Sequence, residues 1–277
     1  MNRRTLIKLV ATSPLLSTGL PPTRSFANPA SALADATKRR VRPGDPDWPS
    51  TAEWNGLKEA VGGGLISVES PLAACTRSPD TPACLELLRN LRNPFFIGEQ
   101  PWATQITGWA DAWMSVPSVY AVAVKTAADV AAAVNFAREH RLRLVVKGGG
   151  HSLLGTSNAA DSLLIWTRAM DDITLHEAFV PQGCNTQPQP AVSVGAGAIW
   201  LHVYDAVTTK AGRYVQGGGC TTVGVAGLVQ SGGFGSFSTS VRLKREQIQL
   251  VALDLVVGFV FDSGNRLTEQ HFFEERH

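Results

Sequence analysis

Surplus charge of either sign is missing from this chain: 25 Lys and Arg stand against 23 Asp and Glu, a formal net charge of +2. No block of Lys or Arg stands out as a basic patch, so no nucleic-acid partner is expected. Cysteine is scarce, at 4 residues, and no CxxC pair or Cys/His cluster with zinc spacing occurs. That argues against a structural metal. The first apolar stretch is too short and too polar to span a bilayer, so no stable membrane insertion is expected. No internal repeat is found. What remains is an ordinary soluble profile, 44% hydrophobic and 17% charged over 277 residues, with room for a good core and for two domains.

Residues 1–27 read as a leader rather than as part of the fold. Arg3–Arg4 is followed by Thr5, Leu6–Ile7 and Lys8, and "SFA" at Ser25–Ala27 puts small residues where a signal peptidase cuts. The pattern looks like a twin-arginine export signal. The expected location is therefore periplasmic or secreted, reached after folding and after any cofactor has been loaded. An oxidising compartment allows Cys75 and Cys84, in "CTRSPDTPAC", to close a small disulfide loop. Cys184 and Cys220 are then left over as thiols.

Residues 28–104 form a loop-rich extension, with one amphipathic helix in "STAEWNGLKEAV", capped by Ser50 and Glu53. From residue 117 the pattern sharpens. "PSVYAVAVK" has strand character, and "TAADVAAAVNFAREH" is a helix with Thr126 as N-cap and Asp129 completing a capping box. "RLRLVVKGGG" is a second strand running into glycines. An apolar run around Leu163–Trp166 follows, then a strand at Ala191–Val194, a Gly-Ala-Gly-Ala turn, and a helix from about Ile199 to Lys210 stopped by Gly212. The fold class expected is α+β, built from strand–helix–strand units with parallel crossovers. Trp109, Trp113, Trp166 and Trp200 are expected to be core rather than a substrate platform.

Two glycine-rich segments lie in residues 148–155 and 217–235. Glycine lets a ligand approach the main chain without a Cβ in the way. Successive N–H groups in such turns form an anion nest suited to a pyrophosphate, each charge-assisted bond contributing about 1.5–3 kcal/mol. Gly150 and Gly155 have Walker spacing, but Thr156 stands where a P-loop needs lysine. "GGGHSLLG" also breaks the Rossmann spacing, and no acidic residue is clearly placed for a ribose. Lys147, just before the first cluster, is either a support for phosphate charge or a solvated strand-end lysine.

"VVKGGGHSLLGTSNAADSLLIWTRAM" together with "GRYVQGGGCTTVGVAGLVQSGGFGSFS" resembles the PCMH-type FAD-binding domain of the FAD-linked oxidases. This is the superfamily of p-cresol methylhydroxylase and vanillyl-alcohol oxidase, and the berberine-bridge-enzyme branch in particular. The resemblance covers about residues 105–238 and implies an FAD-binding domain made of two α/β subdomains. It implies that the backbone of Gly148, Gly149, Gly150, Ser152 and Gly155 wraps the pyrophosphate, with Ser157 and Asn158 toward the adenine. It further implies that His151 is bonded to the flavin 8α-methyl and Cys220 to C6 of the same ring. Val223, Gly224, Gly227 and Gly232 would lie along the isoalloxazine and ribityl chain. The chemistry implied is oxidation of CH–OH groups, such as those of sugars, by hydride transfer to the flavin. The expected partner is a small-molecule substrate.

After "GGFGSFS" the resemblance stops, and residues 239–277 form a divergent tail. "LDLVVGFVF" has strand character and a turn is expected at Asp262–Asn265. The expectation is a substrate domain absent or truncated through a frame shift or early stop near residue 239, leaving no identifiable catalytic base. The rival expectation from another class is a non-catalytic remnant of an FAD-binding domain.

Overall fold

The computed structural model describes residues 39–180, 185, 187–233 and 249–253, the last as a backbone path alone. The leader, Cys184, and the tail's expected turn lie outside the described residues. Two capping boxes show how the sequence starts its longer helices. In α1 (Thr51–Ala60) the Ser50 side chain accepts from the amide of Glu53, and the Glu53 carboxylate accepts in return from the Ser50 amide at 2.7 Å. The same reciprocal pair, Thr126 with Asp129, opens α5 (Ala127–Glu139). Between them come β1 (Leu65–Ser67), α2 (Leu72–Arg77), α3 (Pro82–Asn90), α4 (Pro94–Gly98), β2 (Gly108–Trp109), β3 (Trp113–Met114) and β4 (Tyr120–Ala123). The stretch before residue 115 is thus richer in short helices than its composition suggests. Pro82 and Pro94 explain part of that, since proline in a helix's first turn costs no hydrogen bond. Cys75 and Cys84 form a disulfide that joins α2 to α3.

The first subdomain is a four-stranded sheet in the order β1-β4-β6-β5, where β5 is Arg143–Lys147 and β6 is Ser162–Trp166. β4, β6 and β5 are parallel, while β1 is antiparallel to β4 at the edge. β4 and β5 flank α5 in sequence but are not neighbours, because β6 enters between them with Leu163, Leu164 and Ile165 fully buried. Helix α5 covers the sheet with Val130, Ala133, Val134 and Ala137, and Trp54 of α1 packs on Tyr120 and Phe136. A contiguous apolar stripe of this kind is where most of the helix's stability originates.

The second subdomain holds β7 (Ile173–Phe179), β8 (Gln189–Val194) and β9 (Gln249–Leu253) in that order. β7 is antiparallel to β8, and β9, from the divergent tail, is parallel to it. The expected strand over "LDLVVGFVF" overlaps β9 only at Leu253; its remainder lies outside the described residues. The expected helix after the Gly-Ala-Gly-Ala turn divides in two, an α-helical α6 (Trp200–Tyr204) and a π-helical turn (Asp205–Lys210). A last helix, α7 (Val225–Gln230), follows the second glycine cluster. Trp200, Val203, Val207 and Val225 close a second core over Val192 and Val194.

One of the four tryptophans departs from expectation. Trp200 is fully buried, but Trp109, at the tip of the β2–β3 hairpin, is 60% exposed and is not core. Lys147 fits neither role considered for it. It is 3% exposed, and its ammonium donates to the carbonyls of Gln100, Pro101 and Ala103 at 3.1, 2.6 and 2.9 Å. All three N–H bonds are committed to the segment after α4.

Candidate functional site

The two glycine clusters meet at the seam between the subdomains. A Cβ on Gly149 would lie 2.6 Å from the amide nitrogen of Gly224 and 2.8 Å from the carbonyl oxygen of Thr222. The reverse also holds, for a Cβ on Gly224 would lie 2.9 Å from the Gly149 nitrogen. These two backbones touch, and only hydrogen fits between them. Gly148 faces the Ala196 carbonyl of the Gly-Ala-Gly-Ala turn, which also lies 3.1 Å from the Thr167 hydroxyl. The seam is therefore built from β5's exit, the turn before α6, and the turn before α7.

The second cluster is fixed from α6. Trp200 and Leu201 donate backbone N–H bonds to the carbonyls of Val223 and Thr221, and Val225 donates to Ala198. This turns the Cys220–Val223 segment toward the first loop. His151 comes from the opposite side, and its Nε2 lies 3.0 Å from the Thr222 hydroxyl. Cys220 Sγ lies 3.6 Å from that same oxygen. Cys220 is exposed and His151 half-buried, whereas Thr222 is 4% exposed. Burial holds the His151 pKa below its ordinary value, against a raising hydrogen bond to the Thr222 backbone, and so favours the neutral imidazole.

The remainder of the first loop closes on itself. Ser152 Oγ accepts from the amides of Leu154 and Thr156 and sits 2.7 Å from the Thr156 hydroxyl. The Ser152 amide donates to Ser157 Oγ at 3.4 Å. Gly155, at φ +73°, lies against the indole of Trp113, whose Nε1 donates to the Leu153 carbonyl. Gly150 O accepts from the amide of Gln105, which ties the loop to the segment that Lys147 holds. Asn158 is buried; its Nδ2 donates to the Trp102 carbonyl, but its Oδ1 has no partner among the described residues.

Of the site residues expected from sequence, the structure brings together Gly148, Gly149 and His151 of the first loop with Cys220 and Gly224 of the second, and they do different jobs. Gly148, Gly149 and Gly224 pack the seam, while Gly232, at φ +70°, terminates α7. Gly227 sits within α7 with nothing within 4 Å of a Cβ position, and Val223 supplies the carbonyl that anchors Trp200. Thr222 and Thr167 were not foreseen, and Trp113, expected only as core, stands half-buried against Gly155 of the loop. Only Thr222 carried a signal, its spacing of two from Cys220.

Two small α/β layers joined through glycine turns, with an imidazole and a thiol converging between them, define a dinucleotide-binding flavoprotein domain. Residues 118–256 match the family described as FAD binding domain, and the chain belongs to that family. It is a PCMH-type FAD-binding domain of the FAD-linked oxidoreductases. The chain is 33% identical over 264 residues to the FAD-linked oxidoreductase malF of Malbranchea aurantiaca, a match covering 84% of this chain and 44% of that protein. It is 35% identical over 238 residues to the FAD-linked oxidoreductase easE of Epichloe festucae var. lolii, covering 76% and 39% respectively. Among solved structures, the VAO-type flavoprotein MtVAO615 from Myceliophthora thermophila C1 is similar, with a TM-score of 0.62 and 30% identity over 73% of this chain and 39% of that one. The chain spans about two fifths of the length of these relatives.

The residues present fit FAD. The orphaned Oδ1 of buried Asn158 is an acceptor awaiting a donor, and neutral His151 beside exposed Cys220 is a pair suited to an electrophilic ring.

Proposed function

We propose that the chain is the FAD-holding part of an oxidoreductase that oxidises CH–OH groups, of the kind found on sugar-type alcohols, with the flavin attached through His151 and also through Cys220. The observation that supports this reading is the convergence of His151 and Cys220 on the Thr222 hydroxyl, at 3.0 and 3.6 Å. Two nucleophiles of different chemistry, brought from loops about seventy residues apart, have little structural reason to share one hydroxyl. In this reading the closed glycine seam brings the two loops together at the cofactor, Asn158 Oδ1 accepts from it, and the neutral imidazole supplies a lone pair. When bound, FAD accepts a hydride from the substrate carbon. Attachment would keep the cofactor with the protein outside the cytoplasm, in keeping with the twin-arginine pattern at Arg3–Arg4 and a periplasmic or secreted location.

The test is direct. Full-length protein, precipitated in acid and run on a denaturing gel, is expected to fluoresce under ultraviolet light. A His151→Ala/Cys220→Ala double variant is expected to lose that band. A colourless wild type with no fluorescent band would sink the reading. The second reading keeps the flavin site without turnover. It predicts a coloured protein that consumes no oxygen with any of a panel of sugars and alcohols.

A further inference from the structure

Thr222 holds a place that neither of its neighbours can fill. Its side chain is buried, its carbonyl packs at the Gly149 contact, and its turn is clamped by the amides of Trp200 and Leu201. A hydroxyl has one hydrogen and two lone pairs. It can therefore accept from one neighbour and donate to the other, and its two neighbours here are His151 Nε2 and Cys220 Sγ.

The direction of that chain follows if His151 is the attachment residue, a premise taken from the reading above. Nε2 is blocked by the Thr222 hydroxyl at 3.0 Å, so the bond-forming nitrogen is Nδ1. Nδ1 attacks only with a free lone pair, and a neutral imidazole with a free Nδ1 carries its proton on Nε2. Nε2–H then donates to Thr222 Oγ1, whose own hydrogen turns to the sulfur. We propose that Thr222 is the positioning residue of the attachment site: one hydroxyl sets the tautomer of His151 and holds the sulfur of Cys220.

The chemistry balances with molecular oxygen as oxidant. His151 Nδ1 forms a C–N bond to the 8α-methyl carbon, which gives up one C–H hydrogen as a proton with two electrons. The imidazole gives up its Nε2–H proton to solvent by way of the Thr222 hydroxyl, which releases its own hydrogen on the exposed Cys220 side as it accepts one. Two protons and two electrons reduce one O₂ to H₂O₂. Thr222 thus acts at the start, by presenting the correct nitrogen, and at the end, by relaying the displaced proton.

The experiment uses the full chain, labelled with ¹⁵N-histidine and prepared without flavin, and reads the His151 tautomer by NMR. The expected result is a proton on Nε2 in the wild type and in Thr222→Ser. Thr222→Val, which keeps the shape and removes the hydroxyl, is expected to populate both tautomers. Incubated with FAD in air, Thr222→Val is expected to form the fluorescent covalent band at least tenfold more slowly, with Thr222→Ser close to wild type. A proton on Nδ1 in the wild type, or unchanged attachment in Thr222→Val, would overturn the proposal. Because the tautomer is read without flavin, a wild type that takes up no FAD would defeat the proposed function and still leave Thr222 decided.

Discussion

The backbones of Gly149 and Gly224 touch across the seam, with the Cβ position of Gly149 only 2.6 Å from the Gly224 nitrogen. The obstruction is main chain on both sides, held by the Val225–Ala198 hydrogen bond, so no side chain can rotate away to make room. Gly149→Ala should therefore push the two subdomains apart and destabilise the chain by about 1–3 kcal/mol, the usual range of overpacking. Urea unfolding of the wild type and the variant checks this. A midpoint within error of wild type would show that the seam yields.

Gly227 gives the opposite expectation. It lies inside α7, and a Cβ there meets nothing within 4 Å. Alanine in a helix interior is favoured over glycine by about 0.5–1 kcal/mol, so Gly227→Ala should raise the urea midpoint slightly. If the cofactor lies along this helix, the same methyl should weaken FAD binding severalfold. Fluorescence titration of the His151→Ala/Cys220→Ala background separates binding from attachment. A variant neither more stable nor weaker in binding would show that α7 faces away from the ligand.

Gly155 carries a third expectation. Its φ of +73° is a conformation that L side chains rarely adopt, and a Cβ would press 2.6 Å from the Trp113 ring. Gly155→Ala should cost about 1–3 kcal/mol and free the loop that Trp113 Nε1 holds at Leu153. Limited proteolysis should then cut first within residues 151–157, where the wild type resists. An unchanged cleavage pattern would count against the role assigned to Trp113.

Much of this was readable before any coordinates, for reasons of local chemistry. The capping boxes at Ser50 and Thr126 are decided by residues three apart, and the strands Tyr120–Ala123 and Ser162–Trp166 by continuous apolar runs. The glycine clusters pointed to a nucleotide because each offers successive backbone amides without side chains, and the family resemblance of the two motifs pointed to FAD. What the sequence hid was long-range. That β6 enters between β4 and β5 depends on tertiary pairing, as does the seating of Lys147 on carbonyls more than forty residues earlier. Trp109 ends up outside because a two-residue strand at a hairpin tip offers it no opposing layer. Gly149 and Gly224 look like ligand glycines in sequence, since nothing local announces that each is the other's neighbour.

Lys147 supplies the last expectation. No carboxylate pairs with its ammonium among the described residues; its three bonds go to the carbonyls of Gln100, Pro101 and Ala103. Carbonyl dipoles satisfy the N–H groups but do not replace the water lost, so burial lowers the pKa from 10.5 to about 7. Between pH 7 and 10.5 the unfolded chain therefore holds a proton that the folded chain does not. Stability is governed by that difference and rises with pH across this window. Lys147→Met removes the titration together with the three hydrogen bonds, leaving the other ionisable groups common to both proteins. The unfolding free energy of wild type minus variant should thus grow in the wild type's favour from pH 7 to pH 10, by up to about 4 kcal/mol. Below pH 7 the difference should level off, since both states of the wild type are then charged. Urea unfolding at half-unit steps of pH measures this. A difference that stays flat, or falls as pH rises, would mean that the ammonium keeps its ordinary affinity for the proton inside the fold, and that the carbonyls do more for it than dipoles of their number should.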